Sequence, residues 1–232
     1  LHSRRERLDY YFVEQIINGK KESNRYLDFS KAHHFGFTYD WNINQSLHLK
    51  IEPYYQYLFH IPVEENSSFS IINYEEFYLD RILTNTGIAK NYGIDITLEQ
   101  YMKNGFYYMI TASLFKSKYR GGDRIWRNTR LDKSFLVNLL AGKEWMVGRL
   151  KQNVNGRLFF QGGGRYTPVD EEKSQEEKDI VFDESKAYTK RFNPSINGDV
   201  SISFRINKKR VSHEFSLKIL NVGMRTGMHF YQ

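Results

Sequence analysis

The feature that most constrains this chain is a period-two alternation of apolar and polar residues, sustained over segments of about ten residues. From Asn197 to Asn207, Val200, Ile202, Phe204 and Ile206 fall on one face of an extended strand, and Asp199, Ser201, Ser203, Arg205 and Asn207 on the other. After the basic turn Lys208-Lys209-Arg210, His213, Phe215, Leu217 and Ile219 alternate with Ser212, Glu214, Ser216 and Lys218, so the pair reads as a hairpin. A helix repeats its apolar face about every 3.6 residues and does not fit this spacing.

The pattern recurs upstream. Leu47, Leu49, Ile51, Tyr55, Tyr57 and Phe59 alternate with His48, Lys50, Glu52, Tyr54 and Gln56, interrupted only by Pro53, whose missing N–H is tolerated where no ladder bond needs it. Tyr92, Ile94, Ile96 and Leu98 alternate with Gly93, Asp95, Thr97 and Glu99. Lys103-Asn104-Gly105 then supplies a tight turn, and Phe106, Tyr108, Ile110, Ala112 and Leu114 form one face of the return strand. Phe135, Val137, Leu139 and Ala141 predict a strand ending near Trp145, and Val154, Leu158 and Phe160 predict its neighbour. Phe35, Phe37, Tyr39 and Trp41 predict another, and Leu1 to Phe12 is expected as a strand projecting beyond a membrane.

Connections alternate in length. They are short near Asn44, Asn104, Gly148 and Lys208, and long over 13–28, 62–86, 119–131 and 162–196. Short turns on one rim and long loops on the other are the rhythm of an outer-membrane barrel. The charged stretch 171–183 is expected to be solvated and mobile. Aromatics collect at the strand ends: Tyr39, Trp41, Tyr101, Phe106 and Trp145 toward the short turns, and Tyr10, Tyr11, Phe12, Tyr57, Phe59, Phe115 and Tyr119 toward the long loops. Membrane interfaces favour such rings.

Composition agrees with a strand-rich chain. Aromatics make up 16%, Tyr and Phe stand at 17 each, and Pro at 4. Cys is absent, which excludes disulfides, thiolate metal sites and a cysteine nucleophile. The mean hydropathy of -0.63 and the lack of a long apolar run exclude a membrane helix but not a barrel, whose strands show only alternate residues to lipid. The net charge of +7 is dispersed rather than gathered in one block, so nucleic acid is not expected as a partner. Arg4, Arg5 and Arg7 are followed by no apolar core, so the start is not a signal peptide and the chain is expected to be cut from a longer one.

Several strings carry a resemblance. They include Leu49-Lys50-Ile51-Glu52-Pro53-Tyr54-Tyr55-Gln56-Tyr57, Asn91-Tyr92-Gly93-Ile94-Asp95-Ile96-Thr97-Leu98-Glu99, Ser117-Lys118-Tyr119-Arg120-Gly121-Gly122-Asp123 and Asn138-Leu139-Leu140-Ala141-Gly142-Lys143-Glu144-Trp145. Leu1-His2-Ser3-Arg4-Arg5-Glu6, Trp126-Arg127-Asn128-Thr129-Arg130 and Gly163-Gly164-Arg165-Tyr166-Thr167-Pro168 complete the set. In their order along the chain they resemble the C-terminal barrel half of TonB-dependent receptors of Bacteroidetes-type bacteria, across residues 1–232. The resemblance implies an all-β, antiparallel transmembrane barrel of about 22 strands in a Gram-negative outer membrane, of which this chain supplies roughly nine or ten. It also implies nutrient uptake, with the plug and the TonB-contacting segment supplied from elsewhere. The implied partners are the rest of the barrel and plug, the TonB complex, outer-membrane lipid and lipopolysaccharide, a surface lipoprotein and an unidentified nutrient. Met228 to Gln232 resembles the start of a final strand that stops before the usual terminal aromatic.

Enzymatic chemistry finds no support, and no cofactor is expected. Gly162-Gly163-Gly164-Arg165 lacks the ending of a phosphate-binding loop and reads as a flexible strand exit. His33 and His34 fall on opposite strand faces and do not share a metal. Asp95 and Glu99 share a face about 13 Å apart, too far for a glycosidase pair. The candidate ligand-binding residues are Arg120, Asp123, Arg124, Trp126, Arg127 and Arg130, with Arg165 and Tyr166, a set suited to an anionic or sugar-like ligand. The bland alternative is that they brace the loop or meet lipopolysaccharide phosphates. A rival from another class is a soluble β-rich carbohydrate-binding module, in which Val200, Ile202 and Phe204 would face a packed core.

Overall fold

A computed structural model describes residues 2–76 and 78–222. The first strands are β1 (His2–Arg4), β2 (Glu14–Ile17), β3 (Lys20–Ser23), β4 (Ser30–Gly36) and β5 (Tyr39–Asn42). Long strands follow: β6 (Leu47–Val63), β7 (Thr84–Lys103), β8 (Phe106–Arg120), the short β9 (Trp126–Asn128), β10 (Phe135–Val147) and β11 (Leu150–Gln161). Next come β12 (Arg165–Tyr166), helix α1 (Glu171–Glu177), β13 (Lys190–Arg191), β14 (Ser195–Asn207) and β15 (Ser212–Ile219). The protein is all-β with one short helix. Its main sheet has 11 strands in the order β1-β4-β6-β7-β8-β10-β11-β14-β15, with β5 paired to β6 and β9 to β8. Every strand pair in it is antiparallel, and among the described residues the sheet does not close on itself.

Register keeps the alternation in phase from strand to strand. Leu49 stands opposite Leu98, Leu98 opposite Ile110, Ile110 opposite Leu139, and Leu139 opposite Leu158. The neighbouring row runs Ile51, Ile96, Ala112, Val137, Phe160, Ile196. Along these rows one face is therefore apolar. The other carries rows such as Lys50, Thr97, Thr111, Asn138 and Glu52, Asp95, Ser113. Ser113 Oγ donates to Asp95 at 2.5 Å, Gln161 Nε2 to Ser195 Oγ at 3.0 Å, and Tyr107 Oη to Asn155, so polar neighbours along this face satisfy one another.

The register also shifts steadily across the sheet. The row Phe59, Ile88, Arg120, Trp126 lies beyond the end of β10, whereas Val147, Leu150, Ile206, His213 lies beyond the end of β8. The strands are thus staggered in one direction.

Pro53 sits inside β6 after all, and its position explains a departure from the sequence expectation. The Phe37 N–H donates to the Pro53 carbonyl at 3.1 Å, so the missing Pro53 N–H points to the same side, toward Phe37 and Thr38. There the predicted single strand 35–41 is broken into β4 and β5. The start of the chain also departs: it forms only β1 and then a 3₁₀ turn, Leu8–Phe12, whose Tyr10 is buried under the loops. Stretch 171–183 was expected as a mobile loop, but Glu171–Glu177 is a helix whose first turn is capped by Asp170 Oδ1 accepting from Lys173 N–H at 3.2 Å. The strand start foreseen at Met228 to Gln232 lies outside the described residues.

The tight turns fall where expected. At β7–β8, Asn104 and Gly105 both have positive φ (53° and 74°), the turn whose twist matches a hairpin. A Cβ on Gly105 would run into the Glu144 carbonyl of β10, whereas one on Gly148, at φ 63°, meets nothing. Gly148→Ala should therefore cost about 1 kcal/mol, the strain of a left-handed residue alone. Gly105→Ala should cost clearly more, because neighbouring backbone must also shift. Denaturant midpoints of the two variants test this, and equal midpoints would remove the argument.

Candidate functional site

The long loops fold together over one end of the polar face. That face becomes apolar where they meet it: Leu58, Ala89 and Tyr119 follow the polar row Gln56, Asn91, Ser117. Ala89, Tyr119 and Ile61 are buried against Ile71, Ile72 and Tyr188 of the loops, and the Tyr119 hydroxyl donates to the Ser68 carbonyl at 3.0 Å. A second cluster joins Tyr10, Leu79 and Leu83 to Phe69 and Tyr74. Tyr119 and Phe115, grouped by sequence with the interface aromatics, thus point away from the apolar face. Tyr57 and Phe59 do lie on it.

Charges lock the loops in place. Asp132 is fully buried and accepts from Arg165 Nε at 2.8 Å, while Arg191 donates to its carbonyl at 3.0 Å and to Ser134 Oγ at 2.8 Å. Burial and the adjacent Arg165 push the Arg191 guanidinium below its ordinary pKa, and Asp132 opposes them. Gly162 and Gly163, read from sequence as a flexible exit, are instead close approaches: a Cβ on them would collide with the carbonyls of Lys133 and Phe192. At the base of 13–28, Asp28 Oδ2 lies 2.9 Å from Lys31 Nζ and 2.8 Å from His60 Nδ1. Lys31, then His60, hold its carboxyl well below the usual range. His60 has φ 56° and marks a bulge in the β6–β7 ladder.

Most of the sequence-predicted site residues prove to be braces. Arg127 is buried and paired with Asp123 at 2.6 Å. Burial opposes ionisation of Asp123, but the Arg127 guanidinium and the Ile125 N–H outweigh it and hold the pKa down. Arg130 pairs with Glu75, Arg165 with Asp132, and Tyr166 packs its ring on Phe192 with centroids 4.5 Å apart. Arg124 is exposed with φ 62°. Arg120 and Trp126 face each other on the apolar side of β8 and β9, not toward the loop interior. The eight residues do not converge on one site.

The structure forms a cleft elsewhere, of about 560 Å³, on the polar face beneath Leu131 and beside Phe37. Glu52, Tyr54, Gln56, Asn91, Asp95 and Ser117 line it. Ser117 Oγ donates to Asn91 Oδ1 at 2.6 Å, Asn91 Nδ2 to Gln56 Oε1 at 3.2 Å, and Thr38 Oγ1 to Glu52 Oε1 at 3.2 Å. Two carboxylates, two amides and a phenol around one cavity suit a polar ligand rich in donors. The alternation placed these residues on one face, but nothing in the sequence showed that a loop would roof them.

Removing the buried carboxylate tests the loop lock. Asp132→Asn keeps the shape but leaves Arg165 and Arg191 without a counter-charge, and should cost roughly 3 kcal/mol and speed proteolysis within 171–183. Arg124→Ala should change stability by under about 0.5 kcal/mol. Equal proteolysis of the two variants would exclude the lock. Asp183 offers a pH test: Lys186 at 2.6 Å, then Ser185, hold its carboxyl at about 2, below the ordinary 3.8. Because the folded value is the lower one, this stabilisation is complete above pH 3.8 and is lost as pH falls through about 2. A carboxyl NMR titration should give that midpoint, and Lys186→Ala should return it toward 3.8.

No family model, no curated protein and no solved structure matches this chain.

Proposed function

We propose that this chain forms wall and extracellular loops of an outer-membrane β-barrel belonging to a TonB-dependent receptor that takes up a nutrient. One observation carries the membrane part: the apolar face is left uncovered. Leu114 is 50% exposed, Leu158 42%, Val200 40% and Phe204 42%, in strands that are otherwise fully paired. A β-sandwich buries such a face against a second sheet. The other two sheets among the described residues are two-stranded pairs in the loops, β2-β3 and β12-β13.

Dimensions and stagger support the same reading. From Phe106 to Lys116 the exposed face of β8 runs about ten steps of roughly 3.3 Å. At a strand tilt of about 40° this spans roughly 25 Å, the height of a barrel's lipid-facing band. Closing a barrel requires strands to shift steadily in register, as these do. Among the described residues the outer edges of the sheet, at β1 and β15, have no partner strand, which fits a piece of a larger sheet.

Transport rests on the resemblance of the ordered strings to TonB-dependent receptors. In that reading the plug fills the space on the polar face, the TonB complex acts on the plug, and a surface lipoprotein is a further partner. The cleft lined by Glu52, Gln56, Asn91 and Asp95 is the better candidate for nutrient contact than Arg127, Arg130 and Arg165, which are occupied by carboxylates.

Adjacent residues on opposite faces give the test. Leu139→Arg puts a charge at mid-band on the apolar face and should cost about 2–4 kcal/mol of folding into bilayers, whereas Asn138→Arg, on the polar face, should cost little. Folding into vesicles, followed by heat-modifiable mobility on gels, measures both. A folded, monodisperse wild-type chain in detergent-free buffer would overturn the proposal and favour a soluble module.

A further inference from the structure

We infer that the apolar face ends, at its long-loop edge, in a docking site for phosphorylated lipid headgroups, built from Lys90, Lys118, Arg120 and Trp126. The inference rests on the membrane-spanning reading above and adds to it the residues and the place at which a phosphorylated lipid is held.

Strand parity supplies the first argument. Following the lipid-facing parity along β7 gives Leu98, Ile96, Ile94, Tyr92 and then Lys90; along β8 it gives Ile110, Ala112, Leu114, Lys116, Lys118 and Arg120. The cations therefore continue the apolar surface rather than the polar one. They begin where the apolar band reaches roughly 25 Å, at the depth of the headgroups. Trp126, opposite Arg120 and 39% exposed, places its indole under the Lys90 ammonium at 4.5 Å. An amphipathic ring at that level is the expected companion of a headgroup site.

Electrostatics supply the second. Lys90 and Lys118 are direct cross-strand partners, and like charges so placed destabilise a sheet unless an anion lies between them. Arg120 lies two residues along β8 from Lys118, on the same face. Carboxylates of the loops are engaged with other cations: Asp123 with Arg127, Glu75 with Arg130, Asp132 with Arg165, and Asp28 with Lys31. Among the described residues, no carboxylate forms an ion pair with Lys90, Lys118 or Arg120. Two ammonium groups and a forked guanidinium beside an apolar wall match a phosphate joined to acyl chains. A free nucleic acid has no use for that wall.

The test compares the full polypeptide in phosphatidylcholine vesicles doped with phosphorylated lipid A or with its dephosphorylated form. Wild type should retain the phosphorylated lipid preferentially on extraction, as read by native mass spectrometry. Each cation contributes roughly five-fold at an anionic surface, so the triple variant Lys90→Gln, Lys118→Gln, Arg120→Gln should lose on the order of 100-fold of that preference. Lys118→Arg, which keeps the charge, should retain it. Heat-modifiable mobility measured on the same samples reports whether each variant has folded. Equal retention of the two lipids by folded wild type would overturn the inference and leave the membrane reading standing. A preference retained in full by a folded triple variant would overturn it as well. Failure of wild type to enter either bilayer would overturn both.

Discussion

Phase is the constraint on which the rest of the structure depends. Because side chains alternate strictly along a strand, one residue of slippage between neighbours would carry Asp95, Glu99 and Lys50 onto the apolar face. The ladder holds its phase across β6, β7, β8, β10, β11, β14 and β15, and the two-residue turns Asn104-Gly105 and Gly148-Arg149 help fix it. Irregularities sit where they do not disturb it. The Pro53 gap falls on the side of β6 away from β7, and the His60 bulge comes after the last apolar-facing pair, Phe59 with Ile88.

The long strands, which depend on neighbours in sequence, were legible in it, although the Asp170-capped helix and the turn Leu8–Phe12 were not. The alternation located β6, β7, β8, β10, β11, β14 and β15 and the face each residue occupies, and turn chemistry located the short connections. Contacts between distant segments were not legible. Asp132 looks like an ordinary loop aspartate until Arg165 and Arg191 are brought to it from more than thirty residues away. The arginine-rich stretch 120–130 suggested ligand capture because sequence shows cations but not which carboxylates neutralise them. Gly162 and Gly163 suggested freedom of the backbone, whereas the backbone of other segments leaves them no room for a side chain.

The net charge of +7 acquires a different meaning once it is distributed in space. In the loops, Arg127, Arg130 and Arg165 are each neutralised locally and work as braces, so the basic excess does not face a ligand there. The cleft on the polar face is lined by the opposite sign, with Glu52 and Asp95 among amides and hydroxyls. A ligand held there would be selected for donors, the reverse of the anion preference that the loop arginines suggested.

Both faces of the same strands change character within neighbouring rows, and the proposed membrane setting gives the two changes one cause. On one side the apolar run through Ile94 and Leu114 gives way to Tyr92 with Lys116 and then Lys90 with Lys118. On the other, the polar row Gln56, Asn91, Ser117 gives way to Leu58, Ala89, Tyr119. If water bathed both sides throughout, no reason would exist for the faces to exchange preference at the same height. The proposed membrane setting would account for it: below the transition one side would meet hydrocarbon and the other an aqueous interior, and above it the first would meet headgroups and water while the second is roofed by protein loops. In that proposal the sheet records in its side chains the level at which its surroundings change, and the folded loops, with Ile71, Ile72 and Tyr188 against Ala89 and Tyr119, are what make the apolar end of the polar face tolerable.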